Sequence, residues 1–240
     1  MNKYALVTGG SRGIGRAICV KLHQMGYEVL INYVSNDAAA KETLGLIEGH
    51  GELLRFDVSD PAAVQEAISG WQAAHPGEYI EVLVNNAGVR KDNLLIWLEP
   101  AEWSKVIDTN LNSWYYVTRA LLQPMLLKKF GRIINVASLS GLKGLPGQTN
   151  YSAAKGGMIA ATKALAQEVA RKKVTVNCVA PGFIRTDMVE GLDEAALKKD
   201  IPAARFGEPE EVAALVGFLA SADAGYINGE TISINGGLYT

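Results

Sequence analysis

Residues 4–22 read YALVTGGSRGIGRAICVKL, and the glycines inside this stretch decide the fold. Tyr4 to Val7 form a short apolar run of the kind a strand buried on both faces presents. RGIGRAICVKLHQMG, residues 12–26, reads as a helix that ends at Gly26. Between strand and helix, Gly9 permits a tight turn, Gly13 lets the backbone approach a pyrophosphate, and Gly15 lets the helix pack close to the strand. The free N–H groups and the dipole at a helix start favour phosphate. A glycine cluster alone says little, but between a first strand and a first helix it reads as a dinucleotide-binding turn. Its candidate contacts are Gly9, Ser11, Arg12, Gly13, Ile14 and Gly15.

The rest of the chain repeats the strand–helix alternation. Strands are expected at YEVLINY, ELLRFDVSD, EVLVNNAG, RIINVASLSG, VTVNCVAPG and TISINGG. Helices are expected over 37–49, from Asp60-Pro61 onward, over about 101–127 and over 151–171. Asp60 is placed as an N-cap before a first-turn proline. This alternation predicts one α/β domain over residues 1–240, a doubly wound, seven-stranded parallel sheet of the Rossmann type with helices on both faces. Residues 183–206 form a helical insertion after the sixth strand, where insertions often cover a ligand crevice, and are expected to be a substrate lid.

An acidic residue at the end of the second strand would mark NAD. Ile31-Asn32-Tyr33-Val34 has no carboxylate there, and Arg12 stands inside the glycine turn within reach of a 2′-phosphate. Both features favour NADP(H), with Asn32 at the discriminating position.

Composition narrows the class. The formal net charge is −2, so nothing global points to nucleic acid or to an anionic membrane. No apolar run approaches a membrane span. The N-terminus enters a strand pattern almost at once, which leaves no room for a signal peptide and makes the cytoplasm the expected compartment. Cys19 and Cys178 are far apart in apolar surroundings and read as buried free thiols. The three histidines share no motif, so no metal site is expected.

QTNYSAAKGG, residues 148–157, sets Tyr151 and Lys155 one helical turn apart on one face. A neighbouring ammonium is expected to stabilise the phenolate and bring its pKa toward a useful range. Gly156 and Gly157 are costly inside a helix and predict close packing against another backbone, within the chain or across a subunit boundary.

Taken in order, TGGSRGIG at 8–15, Asp57-Val58, NNAG at 85–88, Asn110, Ser138, Tyr151 with Lys155, and Pro181-Gly182 resemble the short-chain dehydrogenase/reductase family over essentially the whole chain. Within it, NAGVRKDNLL, FGRIINVAS, VTVNCVAPGFIRTDM and GETISINGGLYT look most like the β-ketoacyl-(acyl-carrier-protein) reductases. The resemblance implies NADPH-dependent reduction of a carrier-bound 3-oxoacyl group in fatty-acid or related polyene or polyketide biosynthesis. Tyr151 would donate the proton and Ser138 would hold the ketone oxygen. Lys155 would bind the nicotinamide ribose, and Asn110 would anchor a water that helps refill Tyr151. Asp57 would receive the adenine amino group beside a backbone contact from Val58. Asn85, Ala87, Gly88, Pro181, Gly182, Ile184 and Thr186 would complete the cofactor site.

The resemblance further implies an acidic acyl carrier protein as partner, docking on Lys129 and Lys172 within the basic clusters Lys128-Lys129-Arg132 and Arg171-Lys172-Lys173. It also implies a homotetramer, which the apolar face of Trp114, Val117 and Leu121 would suit as well as it would suit a core. Two stretches depart from the pattern: GWQAAHPGEYIEVLVNN is longer before its strand, and Lys143 to Gln148 is distinctive beside the site. Other readings stay open. One is a short-chain reductase acting on acetoacetyl-CoA or on a small sugar or quinone ketone. The other is a non-catalytic NADP-binding protein.

Overall fold

The computed structural model describes residues 2–189, 191 and 193–240. Among them, seven strands pair in parallel in the order β3-β2-β1-β4-β5-β6-β7. The strands are β1 (Lys3–Val7), β2 (Tyr27–Tyr33), β3 (Gly51–Arg55), β4 (Ile80–Asn85), β5 (Gly131–Val136), β6 (Val174–Pro181) and β7 (Thr231–Ile234). Chain order reverses between β1 and β4, which opens a crevice beyond the carboxyl ends of the strands.

Alternate residues of each strand feed two cores. Val7, Val84, Ile134 and Val179 pack against Ile18 and Leu22 of α1 (Gly13–Gln24) and Val216 of α9 (Pro209–Ala220). Leu6, Leu83, Ile133 and Val176 pack on the other face. There they meet α3 (Pro61–Ala74), α5 (Ser113–Lys128) and α7 (Thr149–Val169). Burial on both faces explains the nearly unbroken apolar strands. The expected cap at Asp60 is present: its side chain accepts from the N–H groups of Ala62 and Ala63. α2 spans Asp37–Leu46. No helix of the described residues is long and apolar enough to cross a membrane.

Several expectations need correction. The long helix over 101–127 is two helices, α4 (Pro100–Ile107) and α5, joined by a π-helical turn at Asp108–Asn112. Asn110 causes the break. Its Nδ2 donates to the Val106 carbonyl, four residues back, at 2.8 Å, taking the acceptor an α-helix would give to its backbone N–H. The fifth strand stops at Val136, and Ser138 instead caps the short helix α6 (Leu139–Lys143).

Trp114, Val117 and Leu121 belong to the intramolecular core, with Val117 and Leu121 buried and Trp114 packed against them. Large apolar side chains are left exposed elsewhere, among them a run at Leu94 to Trp97 with Trp103 and Tyr115, and single residues such as Leu127, Phe218 and Tyr226. Arg132 is also buried and donates to the carbonyls of Ser221, Gly131 and Lys173, so it is no part of a basic surface. The longer stretch before β4 closes the opposite end of the sheet, where His75 stacks on Trp71 and its Nε2 lies 2.9 Å from Glu52. The thiols of Cys19 and Cys178 are free and buried, as expected.

The glycine pair after Lys155 works within the chain. A Cβ on Gly141 would lie 2.7 Å from the Lys155 carbonyl carbon, and one on Gly156 would lie 3.3 Å from the Gly141 oxygen. Gly157 instead faces the Leu111 side chain. α6 and α7 therefore cross backbone to backbone. Of the expected lid, 183–206, the structure describes a 3-10 turn at Asp187–Val189 and α8 (Glu194–Leu197); Glu190 and Leu192 lie outside the described residues.

Gly141→Ala is expected to destabilise the fold by about 2–3 kcal/mol through this crossing. Gly70→Ala is a control of opposite sign, since a Cβ in the middle of α3 meets nothing within 4 Å. It should stabilise by roughly 0.5–1 kcal/mol. Urea unfolding of the two variants measures both.

Candidate active site

The phosphate turn has the backbone its glycines require. Gly9 and Gly13 have φ of 64° and 53°, in the left-handed region. At Gly15 a Cβ would meet the Gly9 carbonyl oxygen at 2.1 Å, so α1 touches its own turn. The N-cap of α1, Arg12, makes no capping bond with its side chain, which leaves the first-turn N–H groups directed at the crevice for an anion. This cradle fits a dinucleotide phosphate.

Several candidate contacts act behind that surface. Asn32 is buried. Its Oδ1 accepts from the Gly9 N–H at 3.1 Å, while its Nδ2 donates to the carbonyls of Leu54 and Phe56. Its side chain is committed to fixing the turn and has no donor left for a ribose. Asn85 is likewise turned inward, with Nδ2 donating to Thr118 Oγ1 and Asn135 Oδ1, and it does not face the crevice. The neighbouring Asn86 faces it, holding the carbonyls of Thr8 and Gly9. Two adjacent asparagines at a strand end must point to opposite faces, and the sequence alone does not say which.

Asp57 accepts from the backbone and hydroxyl of Ser59 at 2.8 and 2.6 Å. Burial raises its pKa, but the Ser59 bonds and Lys105 outweigh that and hold the carboxyl below the usual range. Val58 beside it is buried. Arg12 is exposed, and its Nη1 lies 3.2 Å from Asp187 Oδ2.

The cleft itself brings together Ile14, Gly88, Ser138, Tyr151, Lys155, Pro181, Gly182, Ile184 and Thr186. The sequence reading did not single out Asn86 or Arg90, which also line it, as do Phe183 and Met188 of the expected lid. Of the distinctive stretch from Lys143, Leu145 and Gln148 reach the cleft. Lys129 and Lys172 are exposed and lie just before β5 and β6, at the opposite edge of the sheet. One six-residue strand, β5, separates that edge from Ser138, a span of about 20 Å.

At the heart of the cleft, Ser138 Oγ caps α6 by accepting from the Ser140 N–H at 3.1 Å. Tyr151 and Lys155 come from the first turns of α7 and are both buried. Lys155 Nζ lies 5.7 Å from the Tyr151 ring centroid and donates to the Val136 carbonyl at 2.8 Å. The expected lowering of the phenol is not what the structure produces. Burial pushes Tyr151 up to about 12, against smaller downward pulls from Ser138 and Arg90. Burial pulls Lys155 down to about 8. Desolvation disfavours both charged forms, and the ammonium gives one of its three hydrogens to a carbonyl rather than to the phenol.

Asn110 is fully buried. Its Nδ2 is taken by Val89 and Val106, and its Oδ1 has no hydrogen-bond partner among the described residues. That oxygen would lie 2.5 Å from a Cβ on Gly88, and Lys155 Nζ would lie 3.6 Å from the same point. The orphaned acceptor and the Lys155 ammonium thus both approach Gly88, and a water reaching Oδ1 would complete its bonding.

Comparison with known proteins places this geometry in context. Residues 9–239 match the family described as Enoyl-(Acyl carrier protein) reductase. The 3-oxoacyl-(acyl-carrier-protein) reductase FabG of Haemophilus influenzae is 45% identical over 240 residues, covering 99% of this chain and 98% of that protein. The acetoacetyl-CoA reductase of Rhizobium meliloti is 47% identical over 243 residues, covering 100% and 99%. A crystal structure of a protein assigned as a gluconate dehydrogenase, from Agrobacterium tumefaciens, superimposes with a TM-score of 0.93 at 33% identity. It covers 98% of this chain and 95% of its own.

The buried lysine yields a stability prediction. Below about pH 8 the folded protein must carry the Lys155 ammonium out of water, and this penalty is relieved as pH climbs from about 8 to the ordinary value of 10.5. Lys155→Met should therefore be more stable than the unliganded parent at neutral pH, by at most about 3 kcal/mol. The gain should shrink as pH rises through that window. Denaturant titrations of both proteins at several pH values check the sign and the trend.

Proposed function

The chain belongs to the short-chain dehydrogenase/reductase family, and from that premise we propose that it is an NADPH-dependent 3-oxoacyl-(acyl-carrier-protein) reductase. It is an oxidoreductase that works with a nicotinamide cofactor. The observation that carries the finer reading is the meeting of Ser138, Tyr151 and Lys155 at the carboxyl ends of β5 and β6, where α6 and α7 cross.

Bound nicotinamide supplies a hydride to the ketone carbon. Everything else falls to the chain's own side chains. The Ser138 hydroxyl donates to the ketone oxygen as it gains negative charge. Burial keeps Tyr151 protonated, which is the form a reduction consumes, and its phenol delivers the proton to that oxygen. Lys155 holds the ribose and, with a water on Asn110 Oδ1, returns a proton to Tyr151.

NADPH is favoured over NADH because the end of β2 carries no carboxylate and Arg12, at the α1 N-terminus, is held only by an exposed ion pair to Asp187 that a 2′-phosphate can displace. The segment 183–206 serves as the lid: a Cβ on Gly13 of the phosphate turn would lie 3.2 Å from Thr186 Cγ2, and Asp187 meets Arg12.

The docking of an acidic carrier is constrained by the sheet. Lys129 and Lys172 stand at the edge opposite their own Ser138, so a carrier bound there would serve the cleft of another copy. This reading joins the carrier to a homotetramer, with the exposed side chains Leu94 to Trp97, Trp103 and Tyr115 available for burial. The high identity to an acetoacetyl-CoA reductase keeps coenzyme A thioesters as the second reading.

NADPH oxidation with one β-ketoacyl group presented on acyl carrier protein and on coenzyme A decides between them. A carrier preference of about tenfold or more, lost on charge reversal at Lys129 and Lys172, is the expected result. Equal rates for the two forms would move the enzyme to the second reading. Tyr151→Phe should reduce both rates by at least about a hundredfold. Arg12→Ala should raise KM for NADPH about tenfold and leave NADH nearly unchanged.

A further inference from the structure

A chain of polar side chains leads away from Ser138 into the protein. Gln148 Nε2 donates to Asp92 Oδ2 at 3.0 Å, and Arg90 Nε lies 3.2 Å from the same oxygen. A carboxylate facing a guanidinium accepts and does not donate, so the nitrogen end of Gln148 must face Asp92. The oxygen end of Gln148 then faces Ser140, whose hydroxyl donates to it at 2.7 Å. A hydroxyl has one hydrogen, and Ser140 has spent it. Toward Ser138 it offers only lone pairs, and Ser138 Oγ donates to Ser140 Oγ at 3.3 Å. Ser140 and Gln148 are buried, which keeps water from offering them alternatives. The direction of every bond from Asp92 to Ser138 is thereby fixed.

Tyr151 lines the same cleft as Ser138, and a bond from the Ser138 hydroxyl to its oxygen favours the phenolate. A bond of 3.3 Å to Ser140 is long for two hydroxyls, so it holds the hydrogen away from Tyr151 and releases it cheaply. We propose that Gln148 and Asp92 are positioning residues for the reduction: through Ser140 they aim the Ser138 hydroxyl hydrogen and keep it off Tyr151 until a ketone oxygen arrives. The inference rests on the roles given to Ser138 and Tyr151 above.

The charged groups around Tyr151 are Lys155 on its own helix and Arg90 and Asp92 from the loop after β4. From α4 and the π turn the apolar Val106, Ile107 and Leu111 belong to its cluster, and no charged group of those elements acts on its phenol. Gln148→Leu and Ser140→Ala alter none of these charges. Both let the Ser138 hydrogen swing to the Tyr151 oxygen, which favours the phenolate. Reduction needs the phenol and the reverse oxidation needs the phenolate. The pH at which reduction falls off, and oxidation rises, should therefore move lower.

The test is the pH dependence of both directions, with NADPH and a β-ketoacyl thioester and with NADP and the hydroxyacyl thioester. Parent enzyme, Gln148→Leu, Ser140→Ala and Ser138→Ala are compared. In the first two variants kcat for reduction should fall about tenfold with KM within about twofold, and the Tyr151 limb should move about half to one pH unit lower. Ser140→Ala removes a single oxygen and asks the same question if Gln148→Leu does not fold. An unmoved limb, or a loss carried by KM, overturns the inference. Ser138→Ala should lose about a hundredfold. If it retains most activity, the reading of the site itself falls, and that outcome is distinct from failure of the relay alone.

Discussion

α6 and α7 cross backbone to backbone at Gly141 and Gly156, where a Cβ on Gly141 would collide with the Lys155 carbonyl carbon and the Gly156 nitrogen, and the geometry of the cleft depends on that contact. Ser138 is the cap of one helix, and Tyr151 with Lys155 forms one face of the other. Backbone contact fixes the distance between caps and faces more firmly than side-chain packing could, because neither helix can be pushed off by a rotamer change. The parallel sheet supplies the second constraint. All carboxyl ends lie at one edge, so the phosphate turn, the loop after β4, Ser138 and Pro181-Gly182 converge there without any long connection.

Convergence places polar groups where water is scarce. Lys155 and Tyr151 are held in a region that disfavours their charged forms, and Asn110 beside them keeps an acceptor without a partner among the described residues. These features weaken the unliganded fold and suit a site whose missing contacts arrive with ligand and water. The exposed ion pairs around the lid, such as Arg185 with Glu194 and Arg205 with Glu211, contribute little by comparison.

Much of this was legible in the sequence. The alternation of apolar strands and helices carried the sheet and its strand count, because strands buried on both faces leave unbroken runs. The glycine turn could be read residue by residue, since each glycine answers a distinct steric demand. Three kinds of feature were not legible. The π turn at Asn110 depends on a side chain outcompeting its own backbone for the Val106 carbonyl. The inward turn of Asn85 and the burial of Arg132 depend on which face a residue takes at a strand's end or start. The raised phenol at Tyr151 depends on how completely the crossing of α6 and α7 excludes water, a property of packing that the Tyr-to-Lys spacing does not contain.

The inward-facing Asn85 belongs to a ladder that runs across the sheet interior. Asn85 donates to Thr118 on α5 and to Asn135 on β5, and Asn135 donates to Thr162 on α7. Asn85 and Asn135 are register partners between β4 and β5. The surrounding residues are interchangeable aliphatics that would tolerate a shifted pairing, but this ladder would not. A slip of one residue between β4 and β5 would put the two asparagines on opposite faces of the sheet and break the bond between them, leaving buried amide groups without partners. The ladder thus acts as a checksum on strand alignment, letting a chain rich in similar valine and isoleucine runs distinguish its native pairing from near-copies while it folds.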